Sequence, residues 1–511
     1  MAAPLRHPLS WLAWLLLLAL YLPLLPALAL LLPPVFSVDN WRALAADSQL
    51  PQALIATLVS TLIAAVGALL LALAVVAALW PGTRWRRLCS QLPWLLAIPH
   101  VAFAVSVLLI FAEGGALYRV CTFCSPVADR YGIGLGLTLA VKESAFVIWA
   151  IYASLPEKEL AQKVTVLRSM GYGRWQALRW LILPAIAPAL GAVMLAVIAW
   201  SLSVVDVALI LGPGNPPTLA VLAWQWLSQG DPDQQAKGML LCVILLVLLE
   251  IIAVALFIGW RRWRRTIPAV SGVRSAPRPL VMGRAFSLLL PLIGLLSVVV
   301  LAVVAGESTF SSTHAETSLA LGLCSAAIAL GVILLWLEWG PQRGAFWVWL
   351  PLALPALPLV AGQYQLALAL QLDGQFIAVL WGHLLWVLPW MLLVMQPAWR
   401  RLDPRLILIA RTLGWRPGKI FWLVKCPQMI RPALTAFAVG FSVSMAQYLP
   451  TLWLGSGRVT TFTTEAVALS SGGSSAVLAA QALWQLLLPA LVFAACVALS
   501  RLIGRFRQGL R

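Results

Sequence analysis

Apolar residues in this chain come in long unbroken blocks, not in alternation with polar ones. Twelve blocks are long enough, or nearly so, to cross a bilayer as a helix, which takes about 20 residues. They lie at 11–36, 53–80, 92–111, 133–154, 184–210, 239–260, 285–305, 318–338, 346–366, 376–396, 429–454 and 478–500. A barrel strand would alternate polar and apolar positions, and these blocks do not. In lipid only helices and closed barrels satisfy every backbone group. The pattern therefore predicts an all-α, polytopic membrane protein of about twelve transmembrane helices. The first block is too long and too broken by Leu and Pro for a typical signal peptide. No small-residue cleavage motif follows it, so it is expected to stay as a span.

Two of the polar interruptions are the same interruption repeated. Residues 171–184 read GYGRWQALRWLILP and residues 414–427 read GWRPGKIFWLVKCP. In each, a Gly is followed thirteen positions later by a Pro, and both residues recur at an offset of 243. Before Gly171, the apolar Leu160, Val164, Leu167 and Met170 keep helical spacing, as do Ile407, Ala410 and Leu413 before Gly414. A Gly at such a place allows the left-handed turn that ends a helix. A second short helix then carries Leu178 and Leu181, or Phe421 and Val424. Pro184 and Pro427 stand where the chain enters the membrane, in the first helical turn that tolerates proline. Each interruption is expected to be a helix–turn–helix elbow. A lone elbow fits an amphipathic loop resting on lipid, but a matched pair suits a two-fold partner.

The basic stretch 261–284, RRWRRTIPAVSGVRSAPRPLVMGR, separates six spans from six. The chain thus divides into a first half (1–260, elbow 155–184), a linker (261–284) and a second half (285–511, elbow 400–427). Parallel repeats of this kind are common in transporters.

Composition agrees with the pattern. Hydrophobic residues make up 62% and charged residues 10%, where soluble domains run to about a quarter charged. The net charge of +18 follows from topology. With the N-terminus inside, 29 of the 35 Lys and Arg fall on the cytoplasmic side and five on the outer side, as the positive-inside rule requires. Both termini are then cytoplasmic. The basic loops are drawn to anionic inner-leaflet lipid, and no nucleic-acid partner is expected.

Candidate chemistry is sparse. Cys121 and Cys124 form a CxxC in the outer loop 112–132, where a disulfide and two free thiols are equally open. The four His share no ligand spacing, so no metal site is expected, and His383 reads as an interhelical hydrogen-bond partner. Lys142, Glu143 and Glu250 sit in apolar runs, where each costs at least ~2.5 kcal/mol at mid-helix. They are expected to face the bundle interior and find partners there. Ser203 and Asp206 precede Gly212, and Ser444 and Gln447 precede Gly455, beside the aromatic Trp200, Tyr448 and Trp453. By its residues alone Asp206 reads as a structural partner of Lys142, and the aromatics as groups able to attract a cation. Gly414-x-x-x-Gly418-Lys419-Ile420 fails as a phosphate loop, which needs four residues between its glycines and Ser or Thr after the Lys.

The elbows resemble the coupling loop of binding-protein-dependent ABC importer permeases, whose pattern is Glu-Ala-Ala, three residues, Gly, nine residues, Ile, one residue, Leu-Pro. Gly and Pro fit in both copies, with Leu183-Pro184 in the first and Cys426-Pro427 in the second. The Ile position holds Leu181 in the first copy and falls at Val424, next to Leu423, in the second. Thr165-Val166-Leu167 and Leu408-Ile409-Ala410 stand where the family has Glu-Ala-Ala. Two fused six-span units resemble the thiamine and iron(III) importer branch, which implies a cationic solute. The resemblance implies that Leu167, Gly171, Leu181, Pro184, Ala410, Gly414, Leu423 and Pro427 couple to the ATPase. By the same resemblance Ser203, Asp206, Ser444, Gln447 and Tyr448 would line the translocation path, with Asp206 the candidate to meet a passing cation. Implied too are two copies of a separate ABC ATPase subunit carrying ATP and Mg, a periplasmic substrate-binding protein, and a bacterial inner-membrane location. This chain itself would bind no cofactor and would be a transport subunit, not an enzyme. The competing expectation is a twelve-span secondary transporter driven by an ion gradient through essential membrane carboxylates.

Overall fold

The computed structural model describes residues 8–112, 115–117, 129–266, 274, 280–306, 312–340 and 346–508. Cys121, Cys124 and most of the linker lie outside the described residues. Among those described, every regular element is helical. In order these are α1 (Pro8–Tyr21), α2 (Leu24–Ala29), α3 (Val38–Ala45), α4 (Leu50–Leu79), α5 (Thr83–Ala97), α6 (His100–Phe111), α7 (Ile133–Ser154) and α8 (Glu157–Ser169). Then come α9 (Arg174–Ala177), a π-helical turn Leu178–Ile182, α10 (Leu183–Ser203), α11 (Asp206–Leu211), α12 (Leu219–Leu227) and α13 (Pro232–Thr266). Next are α14 (Val281–Ala305), α15 (Ala315–Trp339), α16 (Leu350–Ala353), α17 (Ala356–Ala369), α18 (Phe376–Arg400), α19 (Pro404–Thr412) and α20 (Pro417–Ile420). A second π-helical turn, Phe421–Lys425, leads into α21 (Cys426–Met445), α22 (Leu449–Gly455), α23 (Phe462–Leu469) and α24 (Ser475–Gln508).

From α7 onward the elements repeat at the offset found in the elbows. The starts of α7, α9, the first π turn, α10, α11, α12 and α13 each recur 243 positions later, at α18, α20, the second π turn, α21, α22, α23 and α24. The contact at the start of α12 recurs at α23, though its two hydroxyls stand ahead of the repeating stretch and outside that offset. Thr57 Oγ1 accepts from Leu219 N at 2.8 Å, and Ser318 Oγ accepts from Phe462 N at 3.2 Å. Each hydroxyl thereby takes up an N–H at the start of a helix, one of the groups that has no intrahelical partner.

Two three-helix cores result: α4 with α7 and α10, and α15 with α18 and α21. In lipid the hydrophobic effect does not drive helix to helix, and small residues that let backbones approach take its place. The buried face of α4 is accordingly Ala53, Ala56, Ser60, Ala64, Ala68 and Ala72. At Gly67 a Cβ would come within 2.7 Å of the Ala140 Cβ on α7.

Packing and chain order part company at the first helix of each half. α1 lies against α15 and α18, with Trp381 Nε1 donating to Leu20 O at 2.9 Å and Tyr21 Oη to Val348 O at 3.3 Å. α14 lies against α4, α6 and α24. α1 is thus packed into the second set of spans, while α14 bridges the first set and α24 of its own.

Not all twelve apolar blocks are straight spans. Among the described residues nine helices are long and apolar enough to cross, or up to twelve if each bent pair counts as one. α5 and α6 meet at 88°, the Phe346–Ala353 segment and α17 at 108°, and the Pro417–Met445 segment and α22 at 62°. The blocks at 92–111, 346–366 and 429–454 are thus bent, and 184–210 breaks between α10 and α11 at Val204–Val205. Two of the bends fall at Pro99 and Pro355, which cannot donate to the preceding turn.

Candidate coupling elbows and translocation path

In the first elbow, α8 buries Leu160, Val164 and Leu167 and ends at Ser169, two residues before Gly171, whose φ is +89°. Met170 belongs to the same stripe by spacing but is half exposed, because the helix has already ended at Ser169. In the second elbow Gly414 has φ +74°. Ala410 is buried there, yet Leu413 is 66% exposed, as are Leu408 (61%), Trp422 (69%) and Leu423 (57%). The short α19 has few neighbours within the chain, so most of its apolar side chains point outward. Leu181 is half-buried and closes a shallow apolar cleft with Val166, Leu167 and Met170. Pro184 and Pro427 both stand at the second residue of the helix after a π turn. Lys425 pairs with Glu338 and lies over the Trp399 ring, fixing the second elbow to α15 and α18.

The polar groups in the membrane gather where helices break. Pro99 has no N–H, so the carbonyl of Leu95, four residues earlier, loses its helical donor. Lys142 Nζ donates to that oxygen at 3.0 Å. The neighbouring Glu143 turns to the start of α6, where its Oε1 meets His100 Nε2 at 2.7 Å. A cation thus sits at a helix C-terminus and an anion at a helix N-terminus, each against the favourable end of the dipole. Both side chains are buried, as the cost of an unpaired charge in lipid requires.

Asp206 opens α11 just past the next break. It is 4% exposed, and its Oδ1 accepts from Val207 N at 2.9 Å. No ion pair joins it to Lys142. It lies in electrostatic range of His100 and, on the other half, of Tyr448. Trp200 covers His100 at 5.1 Å between ring centroids. His100 was not legible as a member of this group from its spacing to other His. The signal was the Pro before it.

The equivalent positions in the second half carry no charge. At the offset of 243, Leu385, Trp386 and Leu449 replace Lys142, Glu143 and Asp206. His383, fully buried, bonds Ser444 Oγ at 2.7 Å and Thr451 Oγ1 at 2.8 Å, the interhelical role expected of it. Gln447 Nε2 donates to His383 O at 3.1 Å. The same offset pairs Ser203 with Ala446 and Ser444 with Ser201, so the residues matched by sequence before Gly212 and Gly455 are not equivalent positions. Ser203 Oγ accepts from Ala356 N at 2.8 Å, holding the start of α17 across the junction of the halves. Glu250 departs from expectation. It is exposed on α13, opposite the buried stripe of Leu241, Leu245 and Leu249, and no ion pair or hydrogen bond engages it among the described residues. Hydropathy carries no signal that turns a helix inward, because lipid and bundle are equally apolar.

The chain is 62% identical, over the full length of both, to the inner membrane ABC transporter permease protein YnjC of Escherichia coli. It is 30% identical over 97 residues to a spermidine/putrescine transport system permease protein PotC homolog of Mycoplasma genitalium, covering 19% of this chain and 34% of that one. No family model matches the sequence, and no solved structure matches it significantly. An identity of 62% extending through every span and both elbows leaves one conclusion: the chain belongs to the inner membrane ABC transporter permeases.

Proposed function

We propose that this ABC importer permease works as two homologous half-units, 1–260 and 285–511, joined by the linker 261–284. Each elbow seats one copy of a separate ATPase subunit, through Leu167, Gly171, Leu181 and Pro184 in one half and Ala410, Gly414, Leu423 and Pro427 in the other. ATP and Mg stay on that subunit, and this chain binds no cofactor. Both termini are cytoplasmic, and a binding protein delivers solute at the outer face. Closing of the ATPase pair shifts the halves between outward- and inward-open arrangements, which requires the two arrangements to differ in affinity for it.

The observation that carries this reading is the recurrence of left-handed Gly, short helix, π turn and Pro at one fixed offset, with apolar side chains left uncovered. The exposed Leu408, Leu413 and Trp422 supply the apolar core that a docking partner needs. The solute is proposed to be cationic, meeting Asp206 and Tyr448 between the halves. The buried carboxylates supply the attraction, and a relative named for polyamine transport is in keeping with it. Ser203, Ser444 and Gln447 hold the walls of the path through their own hydrogen bonds. The test is recovery of the ATPase with the affinity-purified permease. Leu408→Asp with Leu413→Asp is expected to abolish it together with uptake. Unchanged recovery and uptake would refute the docking role.

A further inference from the structure

A second feature adjoins the first elbow at Arg174. The cytoplasmic ends of α4, α5 and α14 and the turn into α9 enclose a cavity of about 240 Å³ lined by Ala78, Gly82, Thr83, Arg84, Arg174 and Arg284. The volume is several times the ~30 Å³ share of one water, so it admits a polyatomic group. Three guanidiniums converge there and no carboxylate lines it. Among the described residues, no ion pair engages any of the three.

The fold brings these arginines together by backbone contact. At Gly283 a Cβ would come within 2.0 Å of Ala74 O, so only glycine lets the start of α14 lie against the last turns of α4. Arg284 is the next residue and is thereby set beside the α4–α5 turn. Arg174 donates to the carbonyls of Ala77 and Ala78, covering the negative end of α4 that would otherwise repel an anion. Across the cavity, the first turn of the 15-residue α5 has no side-chain cap, and its first N–H groups have no intrahelical acceptor. Val281 and Met282, exposed at 68% and 63%, lead from the cavity into the apolar belt of α14.

We infer that this cavity is a binding site for a phosphate group, held by Arg84, Arg174 and Arg284 at the cytoplasmic end of the first half. Planar guanidiniums bind phosphate oxygens by paired charge-assisted hydrogen bonds, and basic pockets between spans on this side take anionic headgroups. The same chemistry serves an anionic lipid and free phosphate alike.

The test uses the full chain purified in mild detergent, titrated separately with phosphatidylglycerol, phosphatidylcholine and inorganic phosphate. Binding is followed by native mass spectrometry and by the melting temperature. Phosphatidylglycerol is expected to bind and raise Tm, and phosphatidylcholine is not. Arg84→Gln with Arg284→Gln is expected to weaken that binding roughly tenfold or more, the effect of losing charge-assisted bonds. Arg86→Gln with Arg87→Gln, on the same helix but outside the cavity, keeps it, and Arg84→Lys with Arg284→Lys keeps most of it. Saturation by inorganic phosphate as well as lipid assigns the site to free phosphate, and lipid alone assigns it to a headgroup. Equal shifts from both lipids overturn the inference. So does equal weakening in the two Gln pairs, or binding of neither phosphatidylglycerol nor phosphate.

Discussion

Lys142 and Glu143 show how one proline sets the chemistry around it. Pro99 frees a carbonyl on one side of the break and a helix start on the other, and adjacent residues of α7 answer each with the opposite charge. Lys142→Met leaves the Leu95 carbonyl without a donor in a buried place, which costs about 1–3 kcal/mol. The expected outcome is a lower Tm in detergent with uptake per folded molecule retained. His383→Leu should cost a similar ~1–3 kcal/mol, since Ser444 and Thr451 both lose a buried partner. Asp206→Asn should behave in the opposite way. The amide oxygen still accepts from Val207 N, so Tm changes little, while uptake of a cationic solute falls steeply. Uptake at the wild-type level would remove Asp206 from the path.

The elbows are held in shape by backbone conformation. A side chain with Cβ in the left-handed region costs roughly 1–2 kcal/mol, so Gly171→Val and Gly414→Val should each lower ATPase recovery by distorting the turn between α8 and α9 or α19 and α20. The surroundings differ, however. At Gly414 nothing lies within 4 Å of a Cβ, whereas at Gly171 the Cβ meets Arg274 of the linker at 3.1 Å. Asn tolerates the left-handed region far better than Val. Gly414→Asn is therefore expected to retain ATPase recovery near wild type, and Gly171→Asn to lose more of it. Quantitative pull-down of the ATPase separates the two. Equal losses would mean that the linker plays no part in the first elbow.

The packing of the first spans makes the halves interdependent. α1 buries Leu17 and Tyr21 against the second half, and α14 buries Leu290 and Leu301 in a core built mainly by the first half and shared with α24. A chain cut within 267–273 and expressed as two pieces is expected to assemble into one complex, each piece carrying the helix that completes the other. Either piece expressed alone exposes those faces and should be degraded or aggregate. Recovery of two stable, separate pieces on gel filtration would contradict the packing.

Much of this protein follows from one-dimensional information. Run length fixes that it spans a membrane, because hydrocarbon thickness demands about 20 apolar residues per crossing. The placement of Arg and Lys predicts sidedness, and the paired Gly and Pro at one offset mark both elbows. The all-α class and the buried, partnered state of Lys142, Glu143 and His383 were also readable, since an unpaired polar group in lipid is costly. The bends at Pro99 and Pro355, the outward Glu250, the cap that Ser203 makes on α17 and the packing of α1 and α14 were not readable. In soluble proteins the hydrophobic stripe says which face turns inward. In a bilayer, neighbours and lipid are equally apolar, so orientation and partner choice rest on close contacts between small residues and on hydrogen bonds between distant segments. Only the folded chain brings those together.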